Sequence, residues 1–123
     1  IGDRRGEGNA LSNLGLACYK QEKYEEACHA YQSALNLDPK NPQRSYDLGR
    51  ACIAAKRFAD AAGLLEKAAA SLTRDTTLLH LLADSYLQLS DAEHAEEVYR
   101  RINRLEPANE AVKEKIASLA QVA

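Results

Sequence analysis

Apolar residues recur along the chain at helical spacing, and the helical segments recur in turn. Leu11, Leu14 and Cys18 stand at i, i+3 and i+7, and Ala27, Tyr31, Ala34 and Leu35 at i, i+4, i+7 and i+8. Each set is one stripe of an amphipathic helix. The polar run Gln21-Glu22-Lys23 separates them as a turn, and Asp38-Pro39-Lys40-Asn41-Pro42 ends the second helix. The residue before a proline is biased away from helix, and Pro42 suits the first position of the next one. The predicted unit is two antiparallel helices joined by a short turn.

That unit repeats. Leu14, Leu48 and Leu82 are 34 residues apart, as are Ala27, Ala61 and Ala95. Gly15, Gly49 and Ala83 keep the step, and so do Tyr31, Leu65 and Tyr99. The chain divides into a lead over 1–7, units over 8–41, 42–75 and 76–109, and a final segment over 110–123. In that segment Val112, Ile116 and Leu119 form an apolar stripe, with Glu110, Lys113, Glu114 and Lys115 opposite. A lone helix pair cannot bury its apolar face, so neighbouring units must stack and the last helix must cap them. Small residues mark close approach, with Gly15 expected against Ala27 of the opposing helix. Tyr24, Phe58 and Ala92 are expected to open the second helices. Ser71–Asp75 replaces the Asp-Pro turn, which predicts a changed angle or a longer helix between the second and third units. Ile102 fills a slot held by Ala34 and Ala68, so the third unit should face a different neighbour, the final helix.

Composition agrees with this reading. Of 123 residues, 22 are Ala and 17 Leu, against 3 Val, 4 Ile and 3 Thr. Helices favour the first group and strands the second, so the chain is all-α. A net charge of −2 provides no basic field for nucleic acid or anionic lipid. The longest apolar stretches fall far short of the ~20 residues of a membrane span, and no signal peptide is legible at the N-terminus. Three cysteines are an odd count without C-x-x-C spacing, which fits free thiols in a reducing, cytoplasmic compartment. The absence of Met fits a segment of a longer array.

Leu14-Gly15, Tyr24, Ala27, Tyr31, Ala34 and Asp38-Pro39 together resemble the signature of the tetratricopeptide repeat family. The second unit keeps Leu48-Gly49, Phe58, Ala61 and Ala68, and the third keeps Leu82, Ala95, Tyr99 and Pro107. The resemblance covers 8–109. It implies a right-handed superhelical α-solenoid of antiparallel helix pairs, whose first helices line a concave groove for an extended peptide or a partner's helix.

No chemistry competes with that expectation. His29, His80 and His94 lack metal-ligand spacing, phosphate loops are absent, and no nucleophile–base set is legible. No cofactor or metal is expected, and no enzymatic activity. Cys18, Cys28 and Cys52 read as small core residues, a redox role resting on Cys18 and Cys52 in the same slot of successive units. Glu96–Arg100 and Glu97–Arg101 are i, i+4 pairs on a solvated face.

Transferring the family's groove-facing slots selects Asn9, Ser12, Asn13, Leu16, Tyr19 and Lys20 from the first unit. The second contributes Gln43, Tyr46, Asp47, Arg50, Ile53 and Ala54, and the third Thr77, His80, Leu81, Asp84, Leu87 and Gln88. Leu16, Tyr19, Tyr46, Ile53, Leu81 and Leu87 are apolar or aromatic at slots that helix packing does not require. With the interleaved amides and charges they suit a peptide, whose backbone needs hydrogen-bond partners. Family members that grip the acidic tails of Hsp70 and Hsp90 use a Lys/Asn/Asn/Lys/Arg clamp. The matching positions here are Ser12, Leu16, Asp47, Thr77 and Leu81. None is basic and Asp47 would repel a carboxylate, so such tails are expected to be excluded. The reading is therefore a non-enzymatic protein-interaction module. Its alternatives are a chaperone-like binder of a secretion or assembly partner, similar in layout to type III secretion translocator chaperones, and a scaffold that self-associates through its open N-terminal end.

Overall fold

In the computed structural model, which describes residues 4–122 with side chains over 6–121, seven α-helices and no strand are present among the described residues. They are α1 (Arg4–Lys20), α2 (Tyr24–Leu37), α3 (Pro42–Ala54), α4 (Phe58–Ala69), α5 (Thr76–Gln88), α6 (Ala92–Leu105) and α7 (Glu110–Val122). Residues 1–3 of the expected lead and Ala123 of the expected final helix lie outside the described residues. Each helix packs on the next, giving three antiparallel pairs and a capping helix in a right-handed solenoid. The first helices also touch one another, α1 on α3 and α3 on α5, whereas the second helices make no such direct packing contact. The stack therefore curves, with α1, α3 and α5 on the inner face and α2, α4 and α6 splayed outside.

Local chemistry sets these boundaries. The turn inside each pair is the same device three times. Glu22, Lys56 and Ser90 adopt left-handed φ of 62°, 63° and 59°. The next N–H, of Lys23, Arg57 and Asp91, donates back to the carbonyls of Cys18, Cys52 and Tyr86 at 2.9, 2.8 and 2.9 Å. This is the Schellman closure, and it satisfies carbonyls a helix end leaves free. A side chain at left-handed φ costs about 1–2 kcal/mol that glycine avoids. Lys56→Gly is therefore expected to raise the unfolding free energy by about 0.5–1 kcal/mol, read as an increased urea midpoint. An unchanged or lower midpoint would remove the strain assigned to this turn.

Between pairs the devices are N-caps. Asn41 accepts from the Gln43 N–H at 2.9 Å ahead of Pro42, and Asp75 from the Leu78 N–H at 3.0 Å. Asn109 accepts from the Val112 N–H at 3.3 Å. These caps open α3, α5 and α7. Asp75 explains how the second unit ends without proline: α4 stops at Ala69, so the longer helix allowed by the sequence does not form.

The core falls into two clusters of unequal size, with the partly buried Ile53 against both. Its larger part joins Leu65, Leu78, Leu79, Leu82, Val98, Ile102 and Val112. Ile102 meets the capping helix there, with Val112, Ile116 and Leu119 turned inward. A smaller part joins Ala27, Cys28, Tyr31, Leu35, Leu48, Ala51, Cys52 and Ala61. Four expectations change. Leu14 is 53% exposed, because no preceding helix covers its slot among the described residues. A Cβ on Gly15 would lie 2.9 Å from the Tyr31 ring, and one on Gly49 2.8 Å from Leu65, so those residues, rather than Ala27, set the approach of the pair. Cys18 is only half-buried. Arg101 does not lie on a solvated face: besides Glu97 at 2.8 Å it reaches across to Glu66 of α4 at 3.0 Å, tying the third pair to the second.

Candidate functional site

The inner face is built from three parallel rows of side chains, and the middle row organises it. Arg50 of α3 is exposed, with its guanidinium carbon 5.8 Å from the Tyr19 ring centroid and 6.0 Å from that of Tyr46. Two aromatic faces thus hold one cation, an arrangement worth roughly 0.5–1 kcal/mol per ring at an exposed site. Among the described residues no carboxylate forms an ion pair with Arg50. Asp47, one turn back, accepts from Gln43 Nε2 at 2.9 Å.

A second cation underlies the first row. Arg44 is almost buried at 9% exposure. Its terminal nitrogens donate to Asn9 Oδ1 at 2.8 Å and to Ser12 Oγ, both neutral acceptors. Its Nε has no partner. Among the described residues no carboxylate forms an ion pair with Arg44 at the edge between α1 and α3. Sequence reasoning did not single out Arg44, because its contacts lie 32 and 35 residues away and follow no repeat slot.

In the third row His80 stands edge-on to Tyr99 at 6.2 Å. Burial, followed by the nearby Asp84 carboxylate, raises the Tyr99 pKa from its ordinary value of 10.0. Tyr31 is raised likewise, by burial first and then by Asp47. Burial, with carboxylates of the inner rows nearby, thus keeps both hydroxyls protonated. Beside them a cavity of about 380 Å³ lies between the C-terminal ends of α3 and α5, lined by Ile53, Ala54, Lys56, Phe58, Asp84, Ser85, Leu87 and Gln88.

The structure thus brings Tyr19, Tyr46 and Arg50 together, and Ile53, Ala54, Asp84, Leu87 and Gln88 around the cavity. Asn9 and Ser12 are engaged by Arg44 instead of being free. Asn13, Leu16, Lys20 and Thr77 are exposed. One expectation is corrected: Tyr46 is buried, and Ile53, Leu81 and Leu87 pack against the larger core. The curvature that opens the inner face also presses successive first helices together there, so packing does use these slots. No group of three or more His, Cys, Asp and Glu suited to a metal ion occurs among the described residues, and no helix among them is long and apolar enough to cross a membrane.

Stacked helix pairs with a capping helix and a charged, aromatic inner face define a helical-repeat solenoid. A family profile described as TPR repeat matches residues 9–52, and one described as Tetratricopeptide repeat matches 76–109. The chain belongs to the tetratricopeptide repeat family. Among solved structures it is similar to the first TPR of Spaghetti (RPAP3) bound to the HSP90 peptide SRMEEVD, at 26% identity and a TM-score of 0.79, covering 95% of this chain and 93% of that one. It is also similar to the second TPR domain of human RPAP3 in complex with the HSP70 peptide SGPTIEEVD, at 15% identity and TM-score 0.80, covering 95% and 98%. The Yersinia enterocolitica type III secretion chaperone SycD, in complex with a peptide of the translocator YopD, matches at 18% identity and TM-score 0.77, covering 92% of each chain. No curated protein sequence is significantly similar.

These neighbours overturn the expected exclusion of acidic Hsp70 and Hsp90 tails, since two of them hold such tails on the same fold. The exclusion considered five slots alone. The positive charge of this inner face comes from Arg44 and Arg50, outside those slots and on either side of Asp47.

Proposed function

We propose that this chain is a non-enzymatic protein-interaction module whose inner face takes an extended, acidic peptide tail of a partner protein. The observation that carries the reading is Arg50, an exposed cation without a carboxylate partner, held between Tyr19 and Tyr46. A peptide carboxylate there gains a charge-assisted hydrogen bond, and the half-exposed Tyr19 ring offers apolar contact to its side chains. Arg44, bonded to the neutral Asn9 and Ser12, adds positive charge beneath, and the cavity beside Ile53 and Leu87 offers space for an apolar side chain of the same peptide. The acidic peptides on two structural neighbours support this class of ligand.

Titration calorimetry with the peptide SRMEEVD tests it. Binding at roughly micromolar Kd is expected, weakening as salt rises. Arg50→Ala should weaken it about tenfold, about 1.4 kcal/mol. No measurable binding removes the acidic-tail reading, and equal affinity for the Arg50→Ala protein removes the assigned site.

A further inference from the structure

On the outer face, Cys28 of α2 and Cys52 of α3 meet. Each is 3% exposed, they pack in the same buried cluster, and each thiol lies near enough to act on the other's ionisation. They belong to the smaller part of the core and lie at its boundary. Both line a cavity of about 550 Å³ in the splay between α2 and α4, with His29, Arg57, Asp60 and Leu64. Arg57 stands at this cavity in ion pairs with Asp60 at 3.1 Å and Glu25 at 3.7 Å, and its charge acts on both thiols. The pairing crosses from the second helix of one repeat to the first helix of the next, so it is not the same-slot pair, Cys18 with Cys52, that the periodicity points to.

We propose that Cys28 and Cys52 are an oxidisable dithiol that a small-molecule disulfide converts to an intrachain disulfide, stapling α2 to α3. Burial raises both thiols, Cys52 up to about 12, and the Arg57 charge opposes the rise at each, so Cys28, the less strongly raised, ionises and attacks first. With oxidised glutathione as oxidant, the Cys28 thiolate attacks one sulfur. The oxidant's S–S bond breaks, and one glutathione leaves carrying the proton lost by Cys28. Cys52 then attacks the Cys28 sulfur of the mixed disulfide, a second glutathione leaves, and it takes the Cys52 proton. Two protein thiols become one disulfide and one oxidised glutathione becomes two reduced ones. The product fixes the angle between the first two repeats, and with it the curvature of the inner face. Because both thiols are protonated and buried at neutral pH, the reaction is slow there and accelerates as pH rises toward the thiol range.

The test equilibrates the folded chain with oxidised glutathione, traps it with iodoacetamide and maps the peptides by mass spectrometry. The expected product has lost two hydrogen atoms through a Cys28–Cys52 link and carries one alkyl group, on Cys18. In Cys52→Ser the bridge cannot close, so Cys28 is expected to stop as a stable glutathione adduct. In Cys18→Ala the link should form as in the parent chain. Three alkylated thiols after equilibration, a bridge that includes Cys18, or stable adducts on both Cys28 and Cys52 in place of a bridge each overturn the proposal. The parent chain alone decides the matter if Cys52→Ser does not fold.

Discussion

Leu82→Ala is expected to lower the unfolding free energy by about 2–5 kcal/mol, whereas Leu14→Ala, in the same slot of the first repeat, should cost about 1 kcal/mol or less. Leu14, Leu48 and Leu82 are 53%, 3% and 0% exposed. Leu82 sits where α5 meets α4 and α6, among Leu65, Leu78, Leu79 and Ile102, so truncating it leaves a cavity lined by side chains held by both neighbours. Leu14 has a neighbouring unit on one side only, and about half its surface is already in water, so little burial is lost. Leu48→Ala belongs with Leu82, since its repeat is flanked on both sides. Urea denaturation of the three variants measures the gradient. Equal losses for Leu14 and Leu82 would mean that the slot itself, rather than its neighbours, sets the energy.

The same contrast explains how much was legible in the sequence. Ala27, Ala61 and Ala95 are all fully buried. Their slot lies inside each helix pair, where the partner surface is encoded a few residues away and recurs with the repeat. Helix existence and the small-residue slots follow from such local constraints. What lies between repeats does not. Leu14 fills a packing slot that no preceding helix covers among the described residues. Tyr46, Ile53, Leu81 and Leu87 lie in groove slots and also pack between successive first helices, because curvature brings those helices together. Arg44 bonds to Asn9 and Ser12 across a repeat boundary, and Cys28 meets Cys52 across the same boundary at a spacing unrelated to 34. Periodicity compares equal slots and cannot register unequal ones that touch. The caps could have been found, since Asn41, Asp75 and Asn109 keep the 34-residue step before three helix starts. The five clamp slots likewise do not describe the groove's charge: Arg50 is a legible groove slot, but its setting against Tyr19 of the preceding repeat is not periodic.

Alkaline conditions should unfold this protein through groups it holds protonated. In the unfolded chain the Cys52 thiol ionises near its ordinary 9.0, while burial, with Cys28 close by, holds it protonated up to about 12 in the fold. Cys28 is raised as well, again by burial first. Four tyrosines follow from 10.0 upward: Tyr31, Tyr46, Tyr86 and Tyr99 are each raised by burial, with Asp47, Asp75, Glu66 and Asp84 adding in turn. Between the unfolded and folded values the native state holds more protons than the unfolded one, so stability falls with rising pH. The contribution of each thiol is complete below 9.0 and is lost progressively above it, up to about 12 for Cys52. Three pH units at Cys52 correspond to about 4 kcal/mol, a large share of a small domain's stability. Urea midpoints measured under reducing conditions should therefore stay level up to about pH 8.5 and decline steadily beyond it. Cys52→Ala should start from a lower midpoint, because it loses packing, yet decline less steeply over the first two units above pH 9, since the tyrosines begin to contribute only later. A parent midpoint as high at about pH 10.5 as at about pH 8 would show that burial does not hold these protons on.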